Sequence, residues 1–242
     1  MKNTAIIIPT RLKAKRFENK PLAKINGTPM IVHVLNRAKE SQVGEVFVAT
    51  PDTEIINIVK KNGGQAILTK HDHPSGSDRV YEVYKKILKD KVDLVINLQG
   101  DMPNVKPSSI LKLEQLMRQN PSDIGTLASS IKNNDEVKDP NIVKVLVDEE
   151  LKNNSFLHAK DFFRIKKDLK NEKIYHHIGI YAFTIAALTK YVKLSRSKYE
   201  INRHLEQMRA IENNLIVKVG FCDSTPLGVD TEEDLEKIIK EM

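Results

Sequence analysis

A single cysteine, Cys222, in 242 residues excludes an intramolecular disulfide framework. That scarcity fits a reducing compartment, and Cys222 reads as a small strand residue, not a nucleophile. No run approaches the roughly 18 apolar residues that a membrane span needs. The start, Met1-Lys2-Asn3-Thr4-Ala5-Ile6-Ile7-Ile8-Pro9, has too short an apolar core for a secretory leader and no small-residue cleavage pattern after it. A cytoplasmic location is therefore the expectation. Internal repeats and low-complexity linkers are missing too. So are the glycine patterns G-x-G-x-x-G and G-x-x-x-x-G-K-[ST], which excludes the usual glycine-rich dinucleotide and P-loop sites.

What the chain does have is a 40% apolar content and a formal charge of +7. The lysines are scattered, as in Lys60-Lys61, Lys85-Lys86 and Lys166-Lys167. Scattered lysine reads as a solvated surface, so a nucleic-acid partner is not expected. The length fits one domain, 1–242, with a sizeable insertion. Residues 4–9, 45–50 and 65–69 read as strands, and so does the run 93–98. Helix-period segments at 30–41 (Ile31, Val34, Leu35 and Ala38 on one face), 53–62, 77–89 and 108–119 alternate with them. This βαβαβαβα order predicts an α/β fold, a mostly parallel twisted sheet covered by helices. Extended segments at 124–131, 141–148 and 175–184, around a basic, poorly periodic stretch at 159–173, predict a smaller antiparallel insertion at about 124–200. A helix over 200–213, a strand at 215–222 and a helix over 231–240 close the chain.

Two strand ends carry candidate chemistry. The apolar run 93–98 stops at Gln99-Gly100-Asp101-Met102-Pro103. An acid at the carboxyl end of a strand in an open parallel sheet lies where ligands bind. A carboxylate there can carry Mg²⁺, which prefers oxygen ligands and phosphate partners; a plain strand-to-loop turn is the other reading. After the first strand, residues 10–22 hold Arg11, Lys13, Lys15, Arg16 and Lys20. Such cations can neutralise a triphosphate directly, arginine by its fork and lysine as a point charge. A solvated basic loop is the alternative, but the position at a strand's carboxyl end favours phosphate.

The motifs then occur in a familiar order. Ile7-Ile8-Pro9-Thr10-Arg11, Arg16, Lys20-Pro21-Leu22 and Ile25-Asn26-Gly27-Thr28-Pro29-Met30-Ile31 come first. Val48-Ala49-Thr50, Asp72-His73-Pro74-Ser75-Gly76-Ser77-Asp78-Arg79 and Asn97-Leu98-Gln99-Gly100-Asp101 follow. His177-Ile178-Gly179-Ile180-Tyr181, Leu205-Glu206-Gln207-Met208-Arg209 and Gly228-Val229-Asp230-Thr231-Glu232-Glu233-Asp234-Leu235 complete the series. Across nearly its whole length the chain resembles the 3-deoxy-manno-octulosonate cytidylyltransferase family, the CMP-Kdo synthetases.

The resemblance implies a nucleotide-diphospho-sugar transferase-like (Rossmann-like) fold, a homodimer, and transfer of CMP from CTP to Kdo for lipopolysaccharide synthesis. It implies Mg²⁺ held by Asp101 and Asp230. Arg11, Arg16 and Lys20 would clamp the triphosphate and stabilise the leaving pyrophosphate. Pro9, Lys70, Ser75, Gly76 and Gln99 would join Arg11 and Lys20 around the nucleotide. The sugar would meet Gln99, Asp78, Arg79, His177, Tyr181, Glu206 and Gln207. Local readings stand beside these roles. Asp230 also looks like the start of a helix cap and Ser77 like another cap. Ile201, Leu205, Met208 and Ile211 form an apolar stripe that leaves Glu206 and Gln207 off the core face, and His176 reads as an exposed neighbour.

The chain also departs from the family pattern. Met102 stands where a Glu is usual, and Ala14-Lys15-Arg16-Phe17-Glu18-Asn19-Lys20 replaces the small-residue and proline part of the phosphate loop. Phe156-Leu157-His158 replaces Phe-Ser-Arg, Arg203 precedes Glu206 where a second Glu is usual, and Lys70 and Pro74 replace Arg and Gln. These changes leave open another 2-keto sugar acid, such as a modified Kdo or a neuraminate, as acceptor. They also leave open a catalytically weakened nucleotide-binding homologue, against which the retention of Arg11, Lys20, Asp101 and Asp230 argues.

Overall fold

The computed structural model describes residues 3–13, 16–166, 169 and 172–242. The chain forms two compact units, one of residues up to Leu111 together with Pro226–Met242, the other Lys112–Thr225. In the first unit, β1 (Thr4–Pro9) is followed by a hairpin, β2 (Lys24–Ile25) and β3 (Thr28–Pro29), and by α1 (Met30–Glu40). Then come β4 (Glu45–Thr50), α2 (Thr53–Lys61), β5 (Gln65–Leu68), α3 (Gly76–Val83), β6 (Leu94–Leu98) and α4 (Pro107–Gln119), which runs on across the unit boundary. The strands lie in the order β5-β4-β1-β6, all parallel, with Ile7 facing Phe47 on one side and Asn97 on the other. Every residue of β1 is buried, as its unbroken apolar run requires of a strand covered on both faces. The expected stripe of α1, Ile31, Val34, Leu35 and Ala38, is fully buried. Helix α3 continues into a π-helical turn at Tyr84–Leu88.

The second unit holds β7 (Ile124–Ser129), α5 (Asn134–Lys138), β8 (Lys144–Val147), β9 (Phe156–His158), β10 (Asp161–Phe163) and β11 (Lys173–Thr184). After them come α6 (Ile185–Tyr191), α7 (Lys198–Arg203), α8 (Met208–Glu212) and β12 (Val217–Phe221). The long β11 pairs antiparallel with β7 and β8, while β12 runs parallel to β7 and antiparallel to β9. The last helix, α9 (Glu232–Glu241), belongs to the first unit. The parallel sheet and the antiparallel addition expected from the sequence are thus both present.

Three expectations need correction. Within the poorly periodic stretch 159–173, whose pattern predicts no element, β10 pairs with β8. Helix α6, started by the Thr184 side chain accepting from the Ala187 amide, was not anticipated. The single helix over 200–213 is two short ones, broken where His204 adopts the left-handed conformation (φ 53°). As a result Ile201 is 48% exposed, not part of an apolar stripe.

Candidate active site

The carboxyl ends of β1, β4 and β6 carry the site in the first unit. In the basic loop Asn19 N–H donates to Leu12 O (3.1 Å), with Asn19 in the left-handed region. Leu12 N–H in turn donates to Asp52 Oδ2 at 2.8 Å, which anchors the basic loop to the end of β4. Lys20 opens a 3₁₀ turn, Lys20–Leu22, and its ammonium donates to Asp101 Oδ2 (3.0 Å) and Asp230 Oδ1 (3.2 Å). Arg16 Nη2 meets the other oxygen of Asp230 at 2.7 Å. The two acidic loops are tied by Val229 N–H donating to Asp101 O (2.9 Å), and Val229 packs in an apolar cluster with Ile25, Met30 and Ile238. Burial opposes charge on Lys20, but the two carboxylates outweigh it and hold its pKa above the ordinary lysine value.

These groups line a cleft of about 350 Å³ with Pro9, Thr10, Arg11, Lys13, Gln99 and Gly100. Lys15 lies outside the described residues. A second cleft of about 130 Å³ shares Pro9, Thr10, Arg11 and Gln99 with the first and is walled by His73, Ser75, Gly76 and Arg79. Gly100, in the first cleft, lets the chain pass close to β1, because a Cβ there would lie 3.3 Å from Pro9 O. Gln99 is oriented by a relay: its Nε2 donates to Asn97 Oδ1 (2.9 Å), and Asn97 Nδ2 donates to Ser77 Oγ (3.3 Å).

Several local readings change. The cap of α3 is Ser75, whose Oγ accepts from the Asp78 amide and donates to the Asp78 carboxylate (2.7 Å); Ser77 is buried beneath it. The cap of α9 is Thr231, in a capping box with Asp234, so Asp230 is spared that role and turns to Arg16 and Lys20. Arg79 is buried and bonds Thr69 Oγ1 and the carbonyls of Lys70 and His71. Lys70 is exposed and lines neither cleft. Met102 points into the core at 5% exposure.

In the second unit His177 and Tyr181 lie together, with the Glu206 charge acting on Tyr181. A bulge between Ile178 and Tyr181 in β11 brings the His177 and Tyr181 rings to 5.6 Å, and His177 packs edge-on to Phe162. Thr126 Oγ1 donates to Ile180 O (2.7 Å), so His177 Nε2, 3.0 Å away, must be the donor to that hydroxyl. Burial, with a smaller push from His176, lowers the His177 pKa to about 3, which keeps the ring neutral. Burial and then the Glu206 charge raise the Tyr181 phenol well above its ordinary value. Gln207 is buried and not solvent-facing, and His176 is half-buried against Glu136 (3.4 Å) instead of exposed. Arg203 is drawn away to Asp161 and to Phe162 O (2.8 Å).

Sequence reasoning missed Asp52, Glu82 and Asn97. A polar residue inside the apolar run of β6 was a legible signal for Asn97; the other two become meaningful only once the loops they hold are known.

A carboxylate pair and clustered cations at parallel strand ends define an α/β protein built to hold a phosphorylated nucleotide. The cytidylyltransferase family profile matches residues 5–220. The 3-deoxy-manno-octulosonate cytidylyltransferase of Brucella canis is 42% identical over 235 residues, covering 97% of this chain and 93% of that protein. The protein of the same name from Rhodopseudomonas palustris is 42% identical over 234 residues, with 96% and 95% covered. A solved CMP:2-keto-3-deoxy-manno-octonic acid synthetase complexed with CTP superposes with a TM-score of 0.90 at 35% identity, over 100% of this chain and 98% of that one. The chain belongs to the 3-deoxy-manno-octulosonate cytidylyltransferase family.

Proposed function

We propose that this protein transfers CMP from CTP to 3-deoxy-D-manno-octulosonate, releasing pyrophosphate. The observation that carries the reading is the convergence of Lys20, Asp101 and Asp230 beside Arg11 and Arg16, in a chain 42% identical to proteins named for this activity. The anomeric hydroxyl of the sugar acid attacks the α-phosphorus of CTP. The bond from the α-phosphorus to the bridging oxygen breaks, the hydroxyl proton passes to solvent, and pyrophosphate leaves with that oxygen. Arg11, Arg16 and Lys20 bind the triphosphate and neutralise the charge that gathers on the departing pyrophosphate. The smaller cleft, with Pro9, Ser75, Gly76 and Gln99, takes the nucleoside.

Asp101 and Asp230 supply an all-oxygen donor pair that already converges on one cation, Lys20, and such a pair fits Mg²⁺ completed by water and phosphate oxygens. When bound, the metal acts as a Lewis acid on phosphate oxygens. His177, Tyr181, Glu206 and Gln207, with Gln99, Asp78 and Arg79, are assigned to the acceptor. In the second unit the neutral His177 ring, its Nε2–H given to Thr126, keeps Nδ1 as an acceptor for a sugar hydroxyl, and the protonated Tyr181 phenol suits a hydroxyl or carboxylate partner. We further assign the protein to lipopolysaccharide synthesis in the cytoplasm, as a homodimer of a single nucleotidyltransferase domain with a sugar-binding insertion. Among the described residues no helix is long and apolar enough to cross a membrane.

The test is pyrophosphate release with CTP, Mg²⁺ and Kdo. Release with Kdo and not with neuraminate is the expected result. Release only with another sugar acid moves the acceptor, and CTP binding without release for any acceptor overturns the enzymatic reading.

A further inference from the structure

One wall of the smaller cleft comes from the loop 69–75, and two side chains of α3 fasten it. Arg79 holds its first half through Thr69 Oγ1 and the carbonyls of Lys70 (2.8 Å) and His71 (3.4 Å). Glu82, three residues on and therefore on the same helix face, holds the rest. Its Oε2 accepts from the Lys70 amide at 3.0 Å and bonds His73 Nε2, while Oε1 takes Lys86 at 2.7 Å. The His73 and Glu82 side chains are only 13% and 12% exposed. Burial alone would favour the neutral acid, yet bonds from Lys86, His73 and the Lys70 amide bring the Glu82 pKa down to about 2. An ionised carboxylate has no hydrogen to give. A neutral His73 ring must then carry its proton on Nε2, which leaves Nδ1 as its acceptor, and His73 lines the cleft.

We infer that Glu82, with Arg79, is a positioning residue that fixes both the shape of the nucleoside wall and the tautomer of His73, making this wall a reader of the base. The inference rests on the proposed use of CTP. A ring nitrogen held as an acceptor suits the exocyclic amine that a 4-amino pyrimidine carries and a 4-oxo pyrimidine lacks. Glu82 touches no reacting atom, so its loss acts on nucleotide affinity and base choice and spares the acceptor.

The experiment is steady-state kinetics and titration calorimetry with CTP and UTP on Glu82→Ala, Glu82→Gln, His73→Ala and the double Glu82→Ala/His73→Ala variant. A charge-assisted hydrogen bond lost from such a wall changes affinity by roughly tenfold or more. In Glu82→Ala the KM for CTP rises by about that factor, the KM for the sugar acid stays within about twofold, and the preference for CTP over UTP narrows. Glu82→Gln, whose amide oxygen still accepts from His73, recovers most of the loss. The double variant is no worse than the worse single one, because both remove the same unit. The inference is overturned if CTP affinity is unchanged in folded variants, if both KM values rise together, or if the two losses add. Should Glu82→Ala not fold, His73→Ala decides the matter: a narrowed preference for CTP over UTP supports the inference, and an unchanged one overturns it. A wild-type protein that binds no CTP overturns the functional reading itself, an outcome that calorimetry separates because it needs no acceptor.

Discussion

Arg209→Met should destabilise the second unit more than any surface substitution. Arg209 and Glu200 have side chains only 3% exposed and meet twice, Nη2 to Oε1 at 2.6 Å and Nε to Oε2 at 2.8 Å. The guanidinium lies over the Tyr191 ring at 4.9 Å, and the Tyr191 hydroxyl donates to Glu206 O at 2.7 Å. Removing the arginine strands a carboxylate in the interior, which costs about 3–5 kcal/mol where nothing else answers it. Here Glu200 keeps the Ser197 amide and Arg196 Nε, both at 3.1 Å, so the lower end, about 3 kcal/mol, applies. For a chain of this length each kcal/mol moves Tm by about 2–4 °C, so scanning calorimetry should record a fall of roughly 6–12 °C. The double variant Glu200→Leu/Arg209→Met removes both charges and should fall by less than half as much. Because the pair fixes the turn that bears Glu206 and Gln207, KM for the sugar acid should rise severalfold while KM for CTP holds. A fall below about 2 °C, or a double variant as unstable as the two singles combined, would refute the reasoning.

Two further outcomes follow from the first unit. Asp101→Asn should keep the fold, since the amide replaces the carboxylate shape beside Lys20, yet lower kcat by at least about a hundredfold in the pyrophosphate assay; near-normal turnover would remove Asp101 from the metal-holding pair. Glu82, held near 2 against its ordinary 4.5, contributes stability that is complete above about pH 4.5 and is lost as pH falls toward 2. Up to about 3 kcal/mol is at stake, so acid unfolding of the wild type should be steeper over that window than that of Glu82→Gln, and superimposable curves would contradict the assignment.

The parts of this molecule legible in its sequence are those whose cause is local. β1 and β4 fall where unbroken apolar runs demand burial on both faces, and α1 where the period of Ile31, Val34, Leu35 and Ala38 demands one buried face. The basic loop and Asp101 were legible as candidates because strand ends in a parallel sheet are where ligands bind. Their meeting was not legible from spacing, since Lys20 reaches Asp101 across 81 positions and Asp230 across 210. Only the ordered motifs pointed to it. The helix break at His204 shows why the remainder was hidden. Ile201, Leu205, Met208 and Ile211 recur at helical spacing, so a pattern of burial reads as one helix. A left-handed histidine costs roughly 1–2 kcal/mol, and the capping bonds of the His204 and Leu205 amides to Glu200 O offset part of that. The rest comes from the Glu200–Arg209 bond, which spans the break, and the Tyr191 hydroxyl, which reaches Glu206 from another helix. After the break Gln207 is buried and the Glu206 charge acts on Tyr181. Local pattern therefore fails at the point where the chain trades regular structure for the placement of two polar side chains, as expected where a fold accommodates a ligand.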